Sequence, residues 1–451
     1  MQHVAGLPYA EIQFTRDGGV HDDMEALSLS AMVGEEEVTD LLVVSHGWNN
    51  DMAEARGLYA RLLQRLRAQL DAGAVPRAAD RTYGVAAILW PSKKFAEDEL
   101  IPSGAASIDG LVSDAALLEQ VDNLKSALAD PGTDAGLEEI KPLLAQLEDD
   151  PAARRAIVET IRGVLPQRAT DAEDASDEFF AEDPGELMDR LAEVVLAAPN
   201  LSTGGGGAAA FEVGGGGAAT ATPVTGATGE AQGLGEVLGG ARAAARRLLN
   251  FATYYVMKDR AGLVGRTGAL EVLKRLHAQR TTMRMHLVGH SFGARLVTSA
   301  AAGWGPGPSP IASLGLLQAA FSHNGFAPRW NGRDDGAFRG LVTGRLVSGP
   351  VVITCTKNDR AVGLAYPIAS RIARQAAAAL GGPDDPYGGL GRNGAQRTPE
   401  ATDGFLLPVG GAYAFAAGRI HNLVADDFVA DHGDVASDAV AYALLAAVTA
   451  T

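Results

Sequence analysis

Residues 285–303 read MHLVGHSFGARLVTSAAAG, and they give the strongest indication of the fold class. It joins an apolar strand, MHLV, to a helical pattern, FGARLVTSAAAG, through the G-x-S-x-G motif Gly289-His290-Ser291-Phe292-Gly293. A strand, a tight turn and a helix in this order are typical of a nucleophile elbow. The turn strains the serine backbone, and glycines two residues to either side remove side chains that would collide there. We therefore expect the Ser291 hydroxyl to project at the carboxyl edge of a sheet.

Outside this stretch, apolar runs of strand length alternate with helical patterns. The central runs are continuously apolar, as expected of parallel strands buried on both faces. The alternation predicts an α/β protein with a doubly wound, mostly parallel central sheet. The predicted strands are AEIQF (10–14), DLLVVSH (40–46), GVAAILW (84–90), MHLVGH (285–290), LGLLQAAF (314–321), PVVITCT (350–356) and RIHNLV (419–424). Between them, helices are predicted over stretches that include 52–70, 268–279 and 292–303.

The negative charge of the chain is concentrated in one segment. The 451 residues carry a formal net charge of −17, and residues 96–200 alone contain 25 acidic and 7 basic residues, a balance of −18. We interpret 96–200 as an acidic helical insertion in which Pro151 and Pro184 each mark a helix start. A Gly/Ala-rich flexible linker follows. The domain organisation is therefore the N-terminal half of the core (1–95), the insertion (96–200), the linker (201–240) and the C-terminal half of the core with the elbow (241–451).

The composition excludes several classes of site and partner. A single cysteine, Cys355, rules out an internal disulfide and any site built from several cysteines. The acidic net charge argues against a general nucleic-acid binder, which needs clustered Lys and Arg. A G-x-G-x-x-G pattern at 389–394 follows a Pro/Asp-containing loop instead of a strand, so it does not predict a dinucleotide site. We expect no metal and no cofactor.

Targeting signals are also missing from the sequence. The first residues show no basic region followed by an apolar run, so no secretory signal is expected. No stretch reaches the roughly 18 apolar residues of a spanning helix. We expect a soluble, cytoplasmic protein with no transmembrane segment, and the sequence leaves its oligomeric state open.

A serine hydroxyl needs a base to become a good nucleophile, and the base in turn needs an orienting acid. In this architecture the order along the chain is serine, acid, histidine, and Asp359 directly follows the strand VVITCT. Of the nine histidines, two come after Asp359: His421, within the last predicted strand, and His432, in the loop ADHGDV. We favour His432, because a loop after the last strand can reach back to Ser291. Four other carboxylates lie in Gly-, Pro- or Arg-rich loops and have weaker claims to the acid's role: Asp334, Asp335, Asp384 and Asp385.

An early strand end predicts the second half of an oxyanion site. LLVVSHGWNND places His46-Gly47-Trp48 at the end of a strand, where Gly47 permits a sharp turn. The Trp48 N–H and the Phe292 N–H are then candidates to hold a developing oxyanion. The alternative is an ordinary turn in which Trp48 is a core aromatic residue. His46 and His290 flank this chemistry, and we interpret them as packing groups, with His290 pointing away from the pocket.

With these residues in place, the chain resembles the α/β-hydrolase superfamily of serine hydrolases, near its lipases and esterases. The motifs that carry the resemblance follow the family's order along the chain: HGW (46–48), GHSFG (289–293), ND (358–359) and DHGD (431–434). The resemblance covers about 1–95 and 250–451 and does not cover 96–250. It implies the α/β-hydrolase fold, and the serine excludes the branch with an aspartate nucleophile. Segments inserted in this family often form a lid, more commonly after the strand that follows the nucleophile; here the insertion precedes the nucleophile strand.

The function expected from these features is hydrolysis of a small-molecule or lipid carboxylic ester through a Ser291–His432–Asp359 triad and an acyl-enzyme. The same triad serves thioesterases, phospholipases, amidases and acyltransferases, because a fold does not fix its substrate. A non-catalytic binding scaffold on a hydrolase frame is the alternative from a different class.

Overall fold

The computed structural model describes residues 2–48, 50–92, 113–166, 176–193, 240–305, 307–359, 361–362 and 382–451. Its described strands form a single nine-stranded sheet. They are β1 (Gln2–Val4), β2 (Leu7–Gln13), β3 (Asp40–Ser45), β4 (Tyr83–Leu89), β5 (Arg284–His290), β6 (Ile311–Leu317), β7 (Val351–Cys355), β8 (Ala401–Phe405) and β9 (Ile420–Val424).

Thirteen α-helices are found among these described residues. They are α1 (Asp23–Glu35), α2 (Met52–Asp71), α3 (Asp114–Leu128), α4 (Pro131–Ile140), α5 (Pro151–Val164), α6 (Ser176–Ala181), α7 (Pro184–Ala192), α8 (Gly240–Val264), α9 (Leu270–Gln279), α10 (Phe292–Ala302), α11 (Arg339–Thr343), α12 (Leu390–Asn393) and α13 (Asp438–Thr449). A π-helical turn, Gly265–Ala269, joins α8 to α9. None of the described helices is both long enough and apolar enough to cross a bilayer.

The strand order is β1-β2-β4-β3-β5-β6-β7-β9-β8, and every neighbouring pair is parallel except β1 and β2. From β3 the chain continues to β4 on one side, whereas β5 lies on the other side of β3 and leads on to β6. The sheet therefore reverses its order between β3 and β5. In open α/β sheets, ligands bind outside the carboxyl ends of the strands at such a point.

Two hydrophobic cores cover the two faces of the sheet. One face packs against α1, α8, α9 and α10, and the other packs against α2 and α13. The central strands β3 and β4 are buried at every position, which explains why their sequences are continuously apolar instead of alternating. The α/β class and the mostly parallel sheet are thus confirmed.

The predicted insertion is helical, and two of its helices begin at the prolines expected from the sequence. Pro151 and Pro184 are the first residues of α5 and α7, and the preceding Asp150 and Asp183 accept hydrogen bonds from backbone amides of the first turn. Buried side chains of α3, α5 and α7 belong to the same hydrophobic cluster as α8 and the sheet. The described part of 96–200 therefore shares a core with the sheet, and its status as a separate unit stays a prediction. The predicted linker, apart from Gly240, lies outside the described residues.

Several of the described elements were not predicted from the sequence, including β1, β8, α1 and α8. The strands β1 and β8 lie at the two edges of the sheet, and β8 exposes most of its residues, so neither carries a long apolar run. The helix α8 is buried around most of its circumference, so its apolar residues form no single stripe at helical spacing. The predicted helix at 268–279 is therefore the end of a longer helical segment that begins at Gly240.

A buried polar cluster lies at the amino ends of β3 and β5, opposite the elbow. Asp40 is fully buried and binds Arg81 (2.6 Å), Arg284 (3.0 Å) and His286 Nε2 (3.0 Å). The other nitrogen of His286 contacts the Ser313 hydroxyl at 2.8 Å. Burial by itself raises the pKa of Asp40, but hydrogen bonds from His286, Arg284 and Thr39 hold it below its ordinary value. This Asp–His–Ser string is closed to solvent, so its role is structural.

Acid is expected to destabilise the protein, beginning near pH 6.5. Burial lowers the pKa of His46 to about 4, and burial likewise lowers the pKa values of His290 and His323 to about 3. The folded state therefore binds fewer protons than the unfolded state between pH 6.5 and pH 3, and stability falls as the pH falls through this window. Asp40 adds a loss of the same sign below about pH 4.

The effect is large enough to measure. At pH 5.5, three such histidines remove roughly 4 kcal/mol of the free energy of unfolding. Urea denaturation at pH 7.5 and 5.5 checks this, and His323→Gln, which keeps hydrogen-bonding capacity but does not titrate, should reduce the difference between the two pH values. An unchanged urea midpoint would contradict the burial of neutral histidines.

Candidate active site

Ser291 occupies the turn between β5 and α10, in the strained backbone that the motif predicts. Its φ is +56° and its ψ is −123°. The turn is held by the Ser291 N–H, which donates to the Leu317 carbonyl at 3.0 Å, and by the Ser291 carbonyl, which accepts from the Ala320 amide at 3.2 Å. A non-glycine residue at positive φ costs about 1–3 kcal/mol and persists when its surroundings enforce it, most often at a functional site.

The two motif glycines allow the turn to pack this closely. A β-carbon at Gly289 would lie 2.4 Å from Ala294 Cα, and one at Gly293 would lie 2.3 Å from the Ser45 and His46 carbonyl oxygens. These contacts are with backbone, which cannot rotate away. Gly293 thus lets α10 approach the end of β3, and the elbow is brought next to the His46-Gly47-Trp48 turn.

His432 and Asp359 lie in hydrogen-bond contact across two neighbouring loops. His432 Nδ1 is 2.8 Å from Asp359 Oδ2, and Asp359 is fully buried. The second oxygen, Oδ1, accepts the Val362 N–H at 2.9 Å. Because a carboxylate only accepts hydrogen bonds, the proton of a neutral His432 must reside on Nδ1. No described residue bonds to Nε2, so its lone pair is available to accept a proton.

The two loops are held together by contacts that were not predicted from the sequence. The strands β7 and β9 are neighbours, and Asn358 donates from Nδ2 to the Asp426 and Val429 carbonyls at 2.9 Å each. Asp426 Oδ1 accepts from the Thr356 hydroxyl at 2.7 Å and from the Lys357 amide at 3.0 Å. These bonds place the acid's loop beside the loop that carries His432. The adjacent pair Asp426-Asp427 after a strand is a weak signal that could have pointed to them.

Gly47 lies against the nucleophile, at the carboxyl end of β3. A β-carbon at residue 47 would lie 2.6 Å from Ser291 Cβ and 3.2 Å from the His290 carbonyl oxygen. Phe292 is the first residue of α10, and the first amides of a helix have no partner within it. The structure therefore brings Gly47 next to Ser291 and places the Phe292 amide at the start of the adjoining helix.

His46 fixes the orientation of the peptide that follows it. Its Nε2 lies 3.2 Å from the Trp90 N–H, which donates to it, so the proton resides on Nδ1. That Nδ1–H donates to the Gly47 carbonyl at 2.9 Å. The Gly47 C=O and the Trp48 N–H belong to one trans peptide and point in opposite directions. Because His46 holds the Gly47 carbonyl oxygen against its ring, the Trp48 N–H points away from the His46 ring.

For the ester hydrolysis expected from the sequence, replacing Gly47 with alanine should lower kcat for a short p-nitrophenyl ester by about 10²- to 10³-fold, which is the typical cost of losing one oxyanion donor. The added methyl group has no room beside Ser291, so the turn must shift and its amide with it. Gly163→Ala is the matched control, because a β-carbon there meets nothing within 4 Å. A Gly47→Ala enzyme that folds and keeps full activity would contradict a role for this turn.

An aromatic cluster borders the elbow. The Phe292 ring lies 5.7 Å from the Trp48 ring and 5.1 Å from the Tyr254 ring of α8, measured between centroids. Trp48 remains partly exposed, whereas Phe292 is fully buried. This cluster gives one side of the candidate site an apolar, aromatic character. Since α8 also packs against the insertion helices, Tyr254 links the two regions.

Two other histidines behave differently from each other. His421 lies on β9, where its ring contacts Thr402 Oγ1 and accepts a hydrogen bond from the Ala416 amide. It makes no described hydrogen bond to Asp359. His290 does not point away from the site, contrary to the expectation, because its Nε2 contacts the His432 carbonyl oxygen at 2.7 Å. The alternation of side chains along a strand predicts the face of the sheet on which His290 lies. It does not predict which loop covers that face.

The predicted residues thus gather at the carboxyl ends of β3, β5, β7 and β9. Within the described part of the chain, the Ser291 hydroxyl makes no hydrogen bond, so its contact with His432 stays a prediction. Such contacts are often long before substrate binds. Among the described residues, no group of three or more His, Cys, Asp or Glu side chains could hold a metal ion. Comparisons of the chain with protein-family models, with curated proteins and with solved structures found no match.

Proposed function

We propose that this protein is a serine hydrolase of the α/β-hydrolase fold that cleaves carboxylic esters. The observation that carries the proposal is the combination of a strained serine at an elbow with a pair formed by the buried Asp359 and the partly exposed His432 at the same sheet edge. A strained non-glycine backbone and a solvent-excluded carboxylate are both costly, and both follow the carboxyl ends of strands of the same sheet. A structural role for either one alone would not require the other to be nearby.

In the proposed mechanism, the residues divide the work of acyl transfer. Ser291 Oγ attacks the ester carbonyl while His432 Nε2 takes its proton, and the Asp359 carboxylate stabilises the resulting imidazolium. The Phe292 and Trp48 amides hold the developing oxyanion. His432 then returns the proton to the leaving alcohol, which departs and leaves an acyl-enzyme. Water, activated by the same imidazole, attacks the acyl carbonyl and regenerates Ser291.

The surroundings of Ser291 favour an ester with an apolar acyl or alcohol group. The aromatic side chains of Trp48, Phe292 and Tyr254 offer surface that an apolar group can cover. Burial of an apolar group stabilises the complex by about 25 cal/mol per Å². The proposal therefore includes a preference for esters with an apolar acyl or alcohol group.

A substrate panel tests the reaction class. The purified protein is assayed with p-nitrophenyl esters of increasing acyl length, with a thioester and with an anilide of the same acyl group. We expect ester hydrolysis, with a burst of p-nitrophenol equal to the enzyme concentration if deacylation is slow. Preference for the thioester or the anilide would redirect the proposal to those classes. A folded protein that cleaves none of them would support a binding scaffold instead.

A further inference from the structure

His290 lies at the variable position of the elbow, directly before Ser291, and its ring is buried beneath the loop that carries His432. Its Nε2 is 2.7 Å from the His432 carbonyl oxygen, and the centroids of the two imidazole rings are 4.9 Å apart. A carbonyl oxygen only accepts hydrogen bonds, so His290 Nε2 must be the donor. The ring that precedes the nucleophile therefore binds the main chain of the candidate base.

The environment of His290 keeps it neutral and in one tautomer. Burial lowers the pKa of His290 to about 3, and the charge of a protonated His432 acts in the same direction. With the proton on Nε2, the lone pair is on Nδ1, which has no hydrogen-bond partner in the described part of the chain. A β-carbon on Gly47 would lie 3.0 Å from that Nδ1. The ring thus fills the space between the Gly47 turn and the His432 loop.

Asn358 bonds to the Val429 carbonyl just before the loop 430–434, and few other described hydrogen bonds join this loop to the rest of the described chain. Among the described residues, the main-chain groups of 430–434 otherwise bond only to nearby residues of the same loop, namely Asp431, Gly433, Asp434 and Val435. The side chain of His432 is held by Asp359 through one ring nitrogen, and this contact does not involve the His432 main chain. The bond from His290 is therefore the described contact that fixes the main chain of His432.

We propose that His290 is a positioning residue that ties the base's loop to the nucleophile elbow, so that His432 Nε2 is held within reach of Ser291 Oγ. This inference rests on the proposed function. His290 and Ser291 are adjacent in the chain. The hydrogen bond from the His290 ring to the His432 carbonyl therefore sets the distance between the proposed nucleophile, Ser291, and the proposed base, His432. A misplacement of about 1 Å between reacting groups can cost roughly 10²-fold in rate.

Two substitutions separate this role from packing. His290→Gln keeps an N–H donor at the position of Nε2, and His290→Leu keeps a comparable volume without a donor. We expect His290→Leu to lower kcat about 10- to 100-fold with KM changed by less than about twofold, since His290 does not contact substrate in this scheme. We expect His290→Gln to retain kcat within about threefold of the wild type. His421→Gln is the histidine control and should match the wild type.

Each outcome decides the question. Equal kcat in wild type and His290→Leu, or an equal loss in His290→Leu and His290→Gln, would overturn the positioning role. If the leucine variant does not fold, His290→Asn, whose amide is one methylene too short to reach the carbonyl, replaces it against His290→Gln. A wild-type protein that neither hydrolyses esters nor reacts with a fluorophosphonate would instead overturn the proposed function, and the inference with it.

Discussion

Replacing Ser291 with alanine is expected to lower kcat/KM for a short p-nitrophenyl ester by about 10⁴-fold or more. The substitution removes the proposed nucleophile, and loss of such a group leaves only the contributions of substrate binding and of the oxyanion donors. Alanine keeps the β-carbon and meets the same positive φ as serine. The free energy of unfolding should therefore change by less than about 1 kcal/mol.

The control for this variant is another serine of the same region. Ser299 is buried on α10, eight positions after Ser291, and takes no part in the proposed chemistry. Ser299→Ala should keep wild-type kinetics, and both variants are compared by urea denaturation. A folded Ser291→Ala enzyme with even one tenth of the wild-type kcat/KM would assign the chemistry to a different residue.

Replacing Asp359 with asparagine is expected to lower kcat by about 10³- to 10⁴-fold. Asp359 Oδ1 accepts the Val362 amide, so the asparagine carbonyl oxygen should take that position. Its NH₂ group then faces His432 Nδ1, where the carboxylate oxygen was. A donor at that site moves the imidazole proton to Nε2, and His432 can no longer accept the proton of Ser291.

The measurement is steady-state kinetics of Asp359→Asn beside Asp334→Asn. Asp334 is an alternative carboxylate from the sequence, and it is partly exposed and paired with Arg333 at 2.8 Å. Asp334→Asn should match the wild type. Loss of activity in Asp334→Asn with near-normal activity in Asp359→Asn would reverse the assignment of the acid.

The central strands could be predicted from the sequence because strands that are buried on both faces consist almost entirely of apolar residues. Strands such as β3 and β4 are covered on both faces and read as continuous apolar runs. The edge strand β8, ATDGF, has a single large apolar residue, Phe405, and that residue is exposed. The pairing of β8 with β9 depends on contacts between the two strands. The local sequence of β8 alone does not predict those contacts.

The candidate site was predictable to the extent that each residue directly follows a strand. Parallel strands end at one edge, so His46-Gly47-Trp48, Ser291 and Asp359 could be expected together from their positions alone. The supporting contacts could not be predicted in this way. His290 meets His432 across 142 positions, and Asn358 reaches Val429 across 71, through loops whose paths depend on the packing of the whole sheet.

Covalent labelling identifies directly which atom of the chain becomes acylated or phosphonylated. The purified protein is treated with a fluorophosphonate, and the adduct is located by intact-mass measurement and peptide mapping. We predict one adduct per chain, on Ser291, which is lost in Ser291→Ala and formed much more slowly in Asp359→Asn. A folded protein that carries the adduct on another residue, or that forms none under any condition, would contradict the account.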